Sequence, residues 1–577
     1  MPADPKTELA GRLRAALAAA FGDELAGTDP LIRPSAFGDY QANVAMSLAK
    51  ALGRPPREVA GAIVEHLDVA DLCESVQVSG PGFVNLTLRA EWIAERAERL
   101  LGDERLGVPP AERETVVIDY SAPNAAKEMH VGHLRSTIIG DALARVLGFL
   151  GHNVVRQNHL GDWGTPFGML IEHMVDIGVG SPEADLTIGD MNAFYQQARE
   201  KYDGDPEFAE RARRRVVALQ AGDEATLALW RLLVEESLRH FRAIYRRLDV
   251  LLEDGDIDAE SRFNAVLPDV VAELDAKGLL VESQGALCVF PPGFTGRDGA
   301  PLPLIVRKSD GGYNYITTDL AAVRFRVREL GATHLVYVVG RPQALHFAMV
   351  FAASRQAGWL TPEHRAEHAA FGSVLGADGK MLRTRSGDPI KLIDLLDEAE
   401  QRAAKVVGER SELDPATRAA VAHVVAIGAL KYFDLSFQRE RDYVFDWDRM
   451  LAFDGNTGPY LQYAVTRIRS IFRRAGLEPE GLTDAPISLG EPAERALALK
   501  VLGLGEAVSA LAAALEPHRL CTYLYELATA FTDFYEACPV LQADEPTRRS
   551  RLALCALTAR SLTLGLGLLG IKVPERM

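Results

Sequence analysis

The hydrophobic pattern of this chain changes character along its length. Thr7 to Ala20, Val44 to Leu52 and Pro56 to Leu67 place apolar residues at helical spacing. Phe83-Val84-Asn85-Leu86-Thr87-Leu88 alternates with period two, as a half-buried strand does. Phe37-Gly38-Asp39-Tyr40-Gln41-Ala42-Asn43 is polar and aromatic, and Gly80-Pro81-Gly82 is a turn by its Gly/Pro chemistry. Residues 1–108 are therefore expected to form a small α+β domain, ending at the linker Gly107-Val108-Pro109-Pro110.

Strand and helix patterns alternate over residues 109–410. Thr115-Val116-Val117-Ile118-Asp119-Tyr120 reads as a buried strand. A loop from Ser121 to His133, a helix from Leu134 to Leu150 and a strand at Asn153-Val154-Val155-Arg156 complete one βαβ unit. Ala286 to Phe290 and Leu304 to Arg307 look like further strands. Tyr313 to Asp319 starts extended and runs into a helix, Leu320 to Leu330. His334 to Val339 is a second buried-strand pattern, followed by Gly340-Arg341-Pro342-Gln343 and a helix from His346. Charged helical sequence, densest over Met191 to Ala221, marks an insertion at about 170–260. Past 411 only amphipathic helices remain: Ala419 to Tyr432, Pro459 to Ala475, Pro492 to Leu515, Pro517 to Ala537 and Thr547 to Leu568. The expected fold is multidomain α/β: a small α+β amino-terminal domain (1–108), a Rossmann-like parallel-sheet domain with a helical insertion (109–410), and an all-α bundle (411–577). Ligands of such sheets sit beyond the carboxyl ends of the strands, where the loops Ser121 to His133 and Asn158 to Gly164 fall.

Composition narrows the class. A chain of 577 residues with 48% hydrophobic content has material for several cores. No run approaches the roughly 18 apolar residues of a membrane span, and the amino end lacks a signal-peptide layout, so a cytoplasmic location and no membrane partner are expected. The cysteines at 73, 288, 521, 538 and 555 have no zinc or redox spacing and read as isolated buried thiols. A net charge of −17 argues against loose nucleic-acid binding. Local basic patches remain, at Arg211 to Arg215, Arg239 to Arg247, and Arg467, Arg469, Arg473 and Arg474; each reads equally as a solvated helix face.

The chemistry concentrates at His130-Val131-Gly132-His133. There is no Walker phosphate loop and no G-x-G-x-x-G after a strand. His130 and His133 stand where a loop enters a helix, so free backbone N–H groups and the helix dipole favour an anion. Gly132 removes a side chain, so that a flat ring can approach the backbone. Lys127 adds a positive charge just upstream. Alone, the pattern also fits a structural histidine pair or two zinc ligands, though no third ligand stands nearby.

The pattern is not alone. Ser121-Ala122-Pro123-Asn124 before it and Leu134-Arg135-Ser136-Thr137-Ile138-Ile139-Gly140-Asp141 after it resemble the signature of class I aminoacyl-tRNA synthetases, and of the arginyl-tRNA synthetases among them. The resemblance continues through His159-Leu160-Gly161-Asp162-Trp163-Gly164-Thr165, Tyr315-Ile316-Thr317-Thr318-Asp319, Gln343-Ala344-Leu345-His346, Asp446 to Met450 and Asn456 to Ala464. It also takes in the amino-terminal Phe-Gly-Asp-Tyr-Gln and Gly-Pro-Gly-Phe.

That resemblance implies ATP-dependent ligation of L-arginine to its tRNA through an arginyl-adenylate, with Mg²⁺ accompanying ATP. It implies ATP contacts from Lys127, His130, Gly132 and His133. It places arginine against Asp119, Asn124, Tyr315, Asp319 and Gln343. Asp119 stands where relatives often carry Glu. Asp319 also reads as a helix N-cap, and Tyr315 as a strand's core aromatic. The family's second signature, Lys-Met-Ser-Lys-Ser, is degenerate here: Gly379-Lys380-Met381-Leu382-Arg383-Thr384-Arg385-Ser386-Gly387. Lys380, Arg383 and Arg385 remain catalytic candidates on that loop, or a plain basic turn, and Lys127 fits the role of a compensating cation. The resemblance further implies tRNA contacts from Phe83 and Asn85 in the amino-terminal domain, and from Asn456, Tyr460, Gln462, Tyr463 and Arg467 in an anticodon-binding bundle. On periodicity alone the last five also fit a bundle seam with a polar edge, and Phe83 and Asn85 read equally as a strand residue and a turn amide. The enzyme is expected to act as a monomer on arginine, ATP and tRNA(Arg).

Overall fold

The computed structural model describes residues 4–178, 191–383, 389–410 and 413–577. Its contacts divide the chain into two compact units: Ala111–Leu451, and a second made of Met1–Pro110 with Ala452–Met577.

The first unit is built on a four-stranded sheet in the order Arg365–His368, His334–Tyr337, Thr115–Asp119, Asn153–Gln157. All neighbours are parallel. Val116, Val117 and Ile118 are buried without alternation, as a sheet covered on both faces requires. From Thr115–Asp119 the chain winds one way to Asn153–Gln157 and later the other way to His334–Tyr337. The reversal opens a crevice beyond the ends of Thr115–Asp119 and His334–Tyr337. Helix Val131–Phe149 is buried around most of its circumference.

Three expectations change. Ala286–Val289 and Leu304–Arg307 do not join the parallel sheet; with Val281–Ser283 they form a separate antiparallel one. The cause is local: Gln284 (φ 53°) and Gly285 (φ 76°) make a two-residue hairpin turn, which can join only antiparallel neighbours. Next, the helix expected from Leu320 begins at Tyr315, because Asn314 Oδ1 accepts from the Ile316 N–H at 3.1 Å. Tyr315 and Asp319 are therefore successive turns of one helix face, and Asn314 is the cap in place of Asp319. Third, helix Pro415–Leu435 is buried from Val425 to Leu435 and packs on Leu392–Arg410 and Val131–Phe149. It is a core helix of the first unit, so the division falls after Leu451 instead of at 411.

Among the described residues the insertion contains helices Thr165–Ile177, Met191–Gly204, Pro206–Gln220 and Glu224–Leu248. Phe167, Leu170, Met174, Phe194, Phe208, Leu219 and Leu233 give it an apolar core, to which Ala125 and Ala126 also belong.

In the second unit, Ile32–Pro34, Tyr40–Ala42, Phe83–Leu88 and Cys73–Ser79 form an antiparallel sheet in that order. The expected turn at Phe37–Asn43 is thus partly strand. Five helices follow from Ala452 onward: Gly458–Ala475, Pro492–Leu502, Leu504–Ala514, His518–Ala537 and Glu545–Leu568. Gly503 splits the single helix expected over Pro492 to Leu515. The chain's two ends are joined by charge-assisted bonds: Arg495 Nη2 donates to Asp39 Oδ2 at 2.6 Å, and Arg560 donates to the carbonyls of Leu101 (2.7 Å) and Asp103 (2.6 Å). Pro492–Ala514 and Glu545–Leu568 are apolar and long enough to cross a membrane by composition, but 44% and 67% of the two stretches is buried inside the bundle. All five cysteines are free and buried.

Candidate active site

The loop after strand Thr115–Asp119 is held in an unusual conformation. Ser121 (φ 72°), Ala122 (φ 45°) and Ala126 (φ 62°) are left-handed without being glycine, a conformation that costs roughly 1–2 kcal/mol per residue. Four hydrogen bonds to side chains outside the loop are prominent among those that hold it. The Ser121 N–H donates to Ser136 Oγ (2.9 Å), the Ala122 N–H to Asn158 Oδ1 (3.0 Å) and the Ala126 N–H to Ser237 Oγ (2.8 Å). Ser121 Oγ lies 2.8 Å from the Tyr245 hydroxyl. Ser237 and Tyr245 belong to the insertion helix Glu224–Leu248. Nothing in the local sequence pattern marks them as supports of this loop.

His130 caps helix Val131–Phe149. Its Nδ1 accepts from the Gly132 N–H at 3.0 Å, and His133 Nδ1 accepts from the His130 N–H at 3.0 Å. A backbone N–H only donates, so neither Nδ1 carries the proton and each neutral ring keeps it on Nε2. Burial, helped by Lys127, holds the His130 pKa below its ordinary value. Burial, with His130 beside it, pushes His133 down to about 3. The helix N-terminus therefore carries two neutral Nε2–H donors, their rings 4.1 Å apart. A Cβ on Gly132 would lie 2.8 Å from His130 Cε1 and 2.9 Å from Nδ1. His130's own ring occupies the place that a Cβ on residue 132 would take.

Lys127 is exposed, with Nζ 4.7 Å from the centre of the Tyr195 ring. The neighbouring Glu128 pairs with Lys391 Nζ at 2.7 Å. The Val131 N–H donates to Ile390 O (2.9 Å) and the Leu392 N–H to Met129 O (2.8 Å), so the segment that follows the 376–383 loop is sewn to the histidine loop. Lys380 is exposed, and Arg383 makes a backbone bridge with Pro389. Arg385 lies outside the described residues. Arg135, fully buried, pairs with Asp434 at 3.0 Å and donates to Gly372 O at 2.8 Å, tying helix Val131–Phe149 to the segment just before the 376–383 loop.

The crevice beside this loop is acidic. Asp119 is 5% exposed, with Oδ2 accepting from Arg326 Nη2 at 2.9 Å; its Oδ1 has no partner among the described residues. The same Arg326 nitrogen is 3.2 Å from Asp258, and Arg326 Nε donates to Gln157 at 2.7 Å. Asp319 Oδ2 lies 2.6 Å from His346 Nε2, and the exposed Tyr315 ring is 5.1 Å from that imidazole. Asn124 is exposed, its Oδ1 against Gly161 where any Cβ would collide. Gln343 is exposed at the start of helix Ala344–Gln356. Burial opposes charge on His159, but Asp258 at 3.7 Å, with Asp119 and Asp319, overcomes it and raises the imidazole to about 9. Burial pushes Glu260 up to about 7, against the pull of His159. Asp119, Asp258, Asp319 and Glu260 thus gather with Arg326 and His159, and Arg262 reaches Asp258 at 3.6 Å; Asp319 has no arginine partner among the described residues. Sequence reasoning missed Arg326, Asp258 and Glu260, and named His346 only within a motif.

The expected tRNA residues divide. Asn85 is 3% exposed, its Oδ1 accepting from Gln41 and its Nδ2 donating to Ser79, each at 2.7 Å. Gln462 is fully buried and donates to Lys572 O at 2.8 Å. Both amides hold partners inside the protein. Phe83 and Tyr460 are half-buried and Asn456 is exposed. Tyr463, 45% exposed, and Arg467, stacked on Tyr535 at 4.3 Å, line a groove of about 290 Å³ with Arg473, Arg474 and Met577.

Two neutral histidines at the mouth of the first crossover helix, beside the switch point of a parallel sheet, is the arrangement of class I aminoacyl-tRNA synthetases. Residues 97–447 match the family described as tRNA synthetases class I (R), catalytic domain; residues 7–88 match the arginyl tRNA synthetase N terminal domain, and 461–577 the DALR anticodon binding domain. The chain is 61% identical to the arginine–tRNA ligase of Thermobifida fusca and 52% identical to that of Synechococcus sp., covering 100% of each chain. Among solved structures it is similar to the arginyl-tRNA synthetases of Plasmodium falciparum (TM-score 0.87, 30% identity, 99% of both chains) and Thermus thermophilus (TM-score 0.84, 27%, 99% of this chain and 100% of that one). The chain belongs to the arginyl-tRNA synthetase family.

Proposed function

We propose that this chain joins L-arginine to tRNA(Arg) with ATP, using the site described above. An oxygen of the arginine carboxylate attacks the α-phosphorus of ATP, the bond to the β-phosphate breaks, and its electrons leave with pyrophosphate. The tRNA's terminal ribose hydroxyl then attacks the arginyl carbonyl and AMP departs. The carrying observation is the pair of neutral Nε2–H donors on His130 and His133. Neutral donors aimed from a helix N-terminus stabilise charge growing on phosphate oxygens without forming a tight ground-state ion pair. Lys127, Lys380, Arg383 and Arg385 are the cations available to the leaving pyrophosphate. Asp119, Asp319 and Tyr315 take the guanidinium, Asn124 and Gln343 the substrate's backbone end. In this reading Mg²⁺ accompanies ATP.

Tyr463, Arg467 and Tyr535 form the anticodon-reading groove, where aromatic faces and guanidinium charge suit unstacked bases. Phe83 meets the tRNA from the amino-terminal sheet. The enzyme acts as a cytoplasmic monomer. Charging of bulk tRNA with each labelled amino acid tests the reading. Arginine alone should be transferred; tRNA binding without any charging would refute it.

A further inference from the structure

We propose that Tyr195, on the insertion helix Met191–Gly204, is a positioning residue for adenylate formation: its ring holds the Lys127 ammonium at the histidine site. This rests on the reading of Lys127 as a cation that serves the phosphates. The contact is direct, Nζ lying 4.7 Å from the ring centre. Among the described residues Lys127 has no carboxylate in ion-pair range, and the carboxylate next to it in sequence, Glu128, is drawn off by Lys391 at 2.7 Å. Tyr195 is itself fixed, packed half-buried against the insertion core that also contains Ala125 and Ala126. One apolar cluster therefore anchors both the ring and the backbone just before Lys127.

The choice of a ring over a carboxylate matters chemically. A long lysine side chain left in solvent spreads over many rotamers, and only some reach the site. A carboxylate would restrict them but would cancel the charge that the phosphates need. An aromatic face restricts them by a weak attraction to the cation and leaves the charge whole. A weak hold also lets the ammonium move a short way onto the phosphates as negative charge grows. The insertion thereby takes part in the chemistry through Tyr195, although none of its own groups need touch ATP.

The test uses the full-length enzyme with tRNA present, reading pyrophosphate exchange and thermal midpoint. Tyr195→Leu should lower kcat by about three- to tenfold, a weak exposed cation–π contact amplified by misplacement. The KM for arginine and the thermal midpoint should stay unchanged. Tyr195→Phe, which keeps the ring face, should remain within about twofold. In the Lys127→Ala background, Tyr195→Leu should cost nothing further. Tyr195→Gln serves the same test if the leucine variant loses stability. A damaging Lys127→Ala with a harmless Tyr195→Leu, or with losses that simply multiply, would overturn the positioning role alone. A silent Lys127→Ala would remove the assignment of Lys127 itself, and this proposal with it.

Discussion

Gly132→Ala separates the chemistry of the histidine cap from its contribution to stability. The added Cβ would sit 2.8 Å from His130 Cε1, whereas ordinary contact begins near 3.4 Å. The imidazole must retreat by roughly 0.6 Å (3.4 less 2.8), stretching the 3.0 Å bond from the Gly132 N–H to Nδ1. Weakening an N-cap costs about 1 kcal/mol. Replacing a helical glycine by alanine returns about 1 kcal/mol. Stability should therefore change little. Catalysis should not escape, because losing one aligned donor to developing charge lowers kcat by about 10²-fold or more, and a misplacement approaching 1 Å costs a similar factor. The expected result is a loss of about 10² in kcat for arginine activation at an unchanged thermal midpoint. Gly148→Ala is the control: it lies on the same helix with nothing within 4 Å of its Cβ, and should keep full activity. A Gly132→Ala enzyme within about threefold of wild type would show that His130's ring position does not govern phosphate stabilisation.

Burial holds His133 near 3 in the folded protein, against 6.5 ordinarily. The unfolded chain therefore binds a proton that the folded chain refuses, and stability is lost as pH falls from 6.5 toward 3. His133→Asn keeps an acceptor for the His130 N–H but cannot titrate, so the denaturant midpoint should fall less steeply over that window; an unchanged slope would contradict the buried neutral ring. Arg326→Met strips the partner from Asp119 and Asp258 and should destabilise the Ala111–Leu451 unit by about 3–5 kcal/mol. Asp258→Asn should restore part of that loss, and strictly additive denaturation midpoints would refute the shared network. In the second unit, Gln462→Leu should lower stability without changing the KM for tRNA. Tyr463→Ala or Arg467→Ala should raise that KM by about tenfold, one stacked base being worth about 1–3 kcal/mol; the opposite pattern would exchange the roles assigned to these neighbours.

What local pattern could reveal depended on how far away each residue's partner lies. Thr115–Asp119 and His334–Tyr337 were legible as unbroken buried runs, and His130 and His133 as a loop-to-helix junction. The protonation pattern of the histidines was not, because it follows from His130's extended backbone (φ −120°, ψ 173°). The burial of Asn85 and Gln462 is not legible in the sequence, for one reason. Their partners, Gln41 and Lys572, lie in distant segments, and an amide at a strand or helix position looks the same whether it faces base or backbone. The docking of Arg495 on Asp39 escaped for the same cause. The hairpin at Gln284-Gly285 is a two-residue signal inside a longer alternation of strand and helix, and the longer pattern masks it.

The insertion looked like a charged helical excursion between two halves of a sheet. Its geometry makes the active loop depend on it. Three left-handed, non-glycine residues cost about 3–6 kcal/mol in sum, and four hydrogen bonds at about 1 kcal/mol each offset most of it. Two of those four bonds end on Ser237 and Tyr245, and Ala125 and Ala126 bury their side chains in the insertion's apolar core. Without these supports the loop would relax toward ordinary backbone angles. Asn124 would then leave its place against Gly161, and Lys127 would leave Tyr195. The sheet supplies the crevice and the first crossover helix supplies the donors. The shape of the loop between them, on which the arginine and phosphate contacts both hang, is shared between Ser136 and Asn158 of the sheet domain and an insertion helix that carries no signature residue of its own.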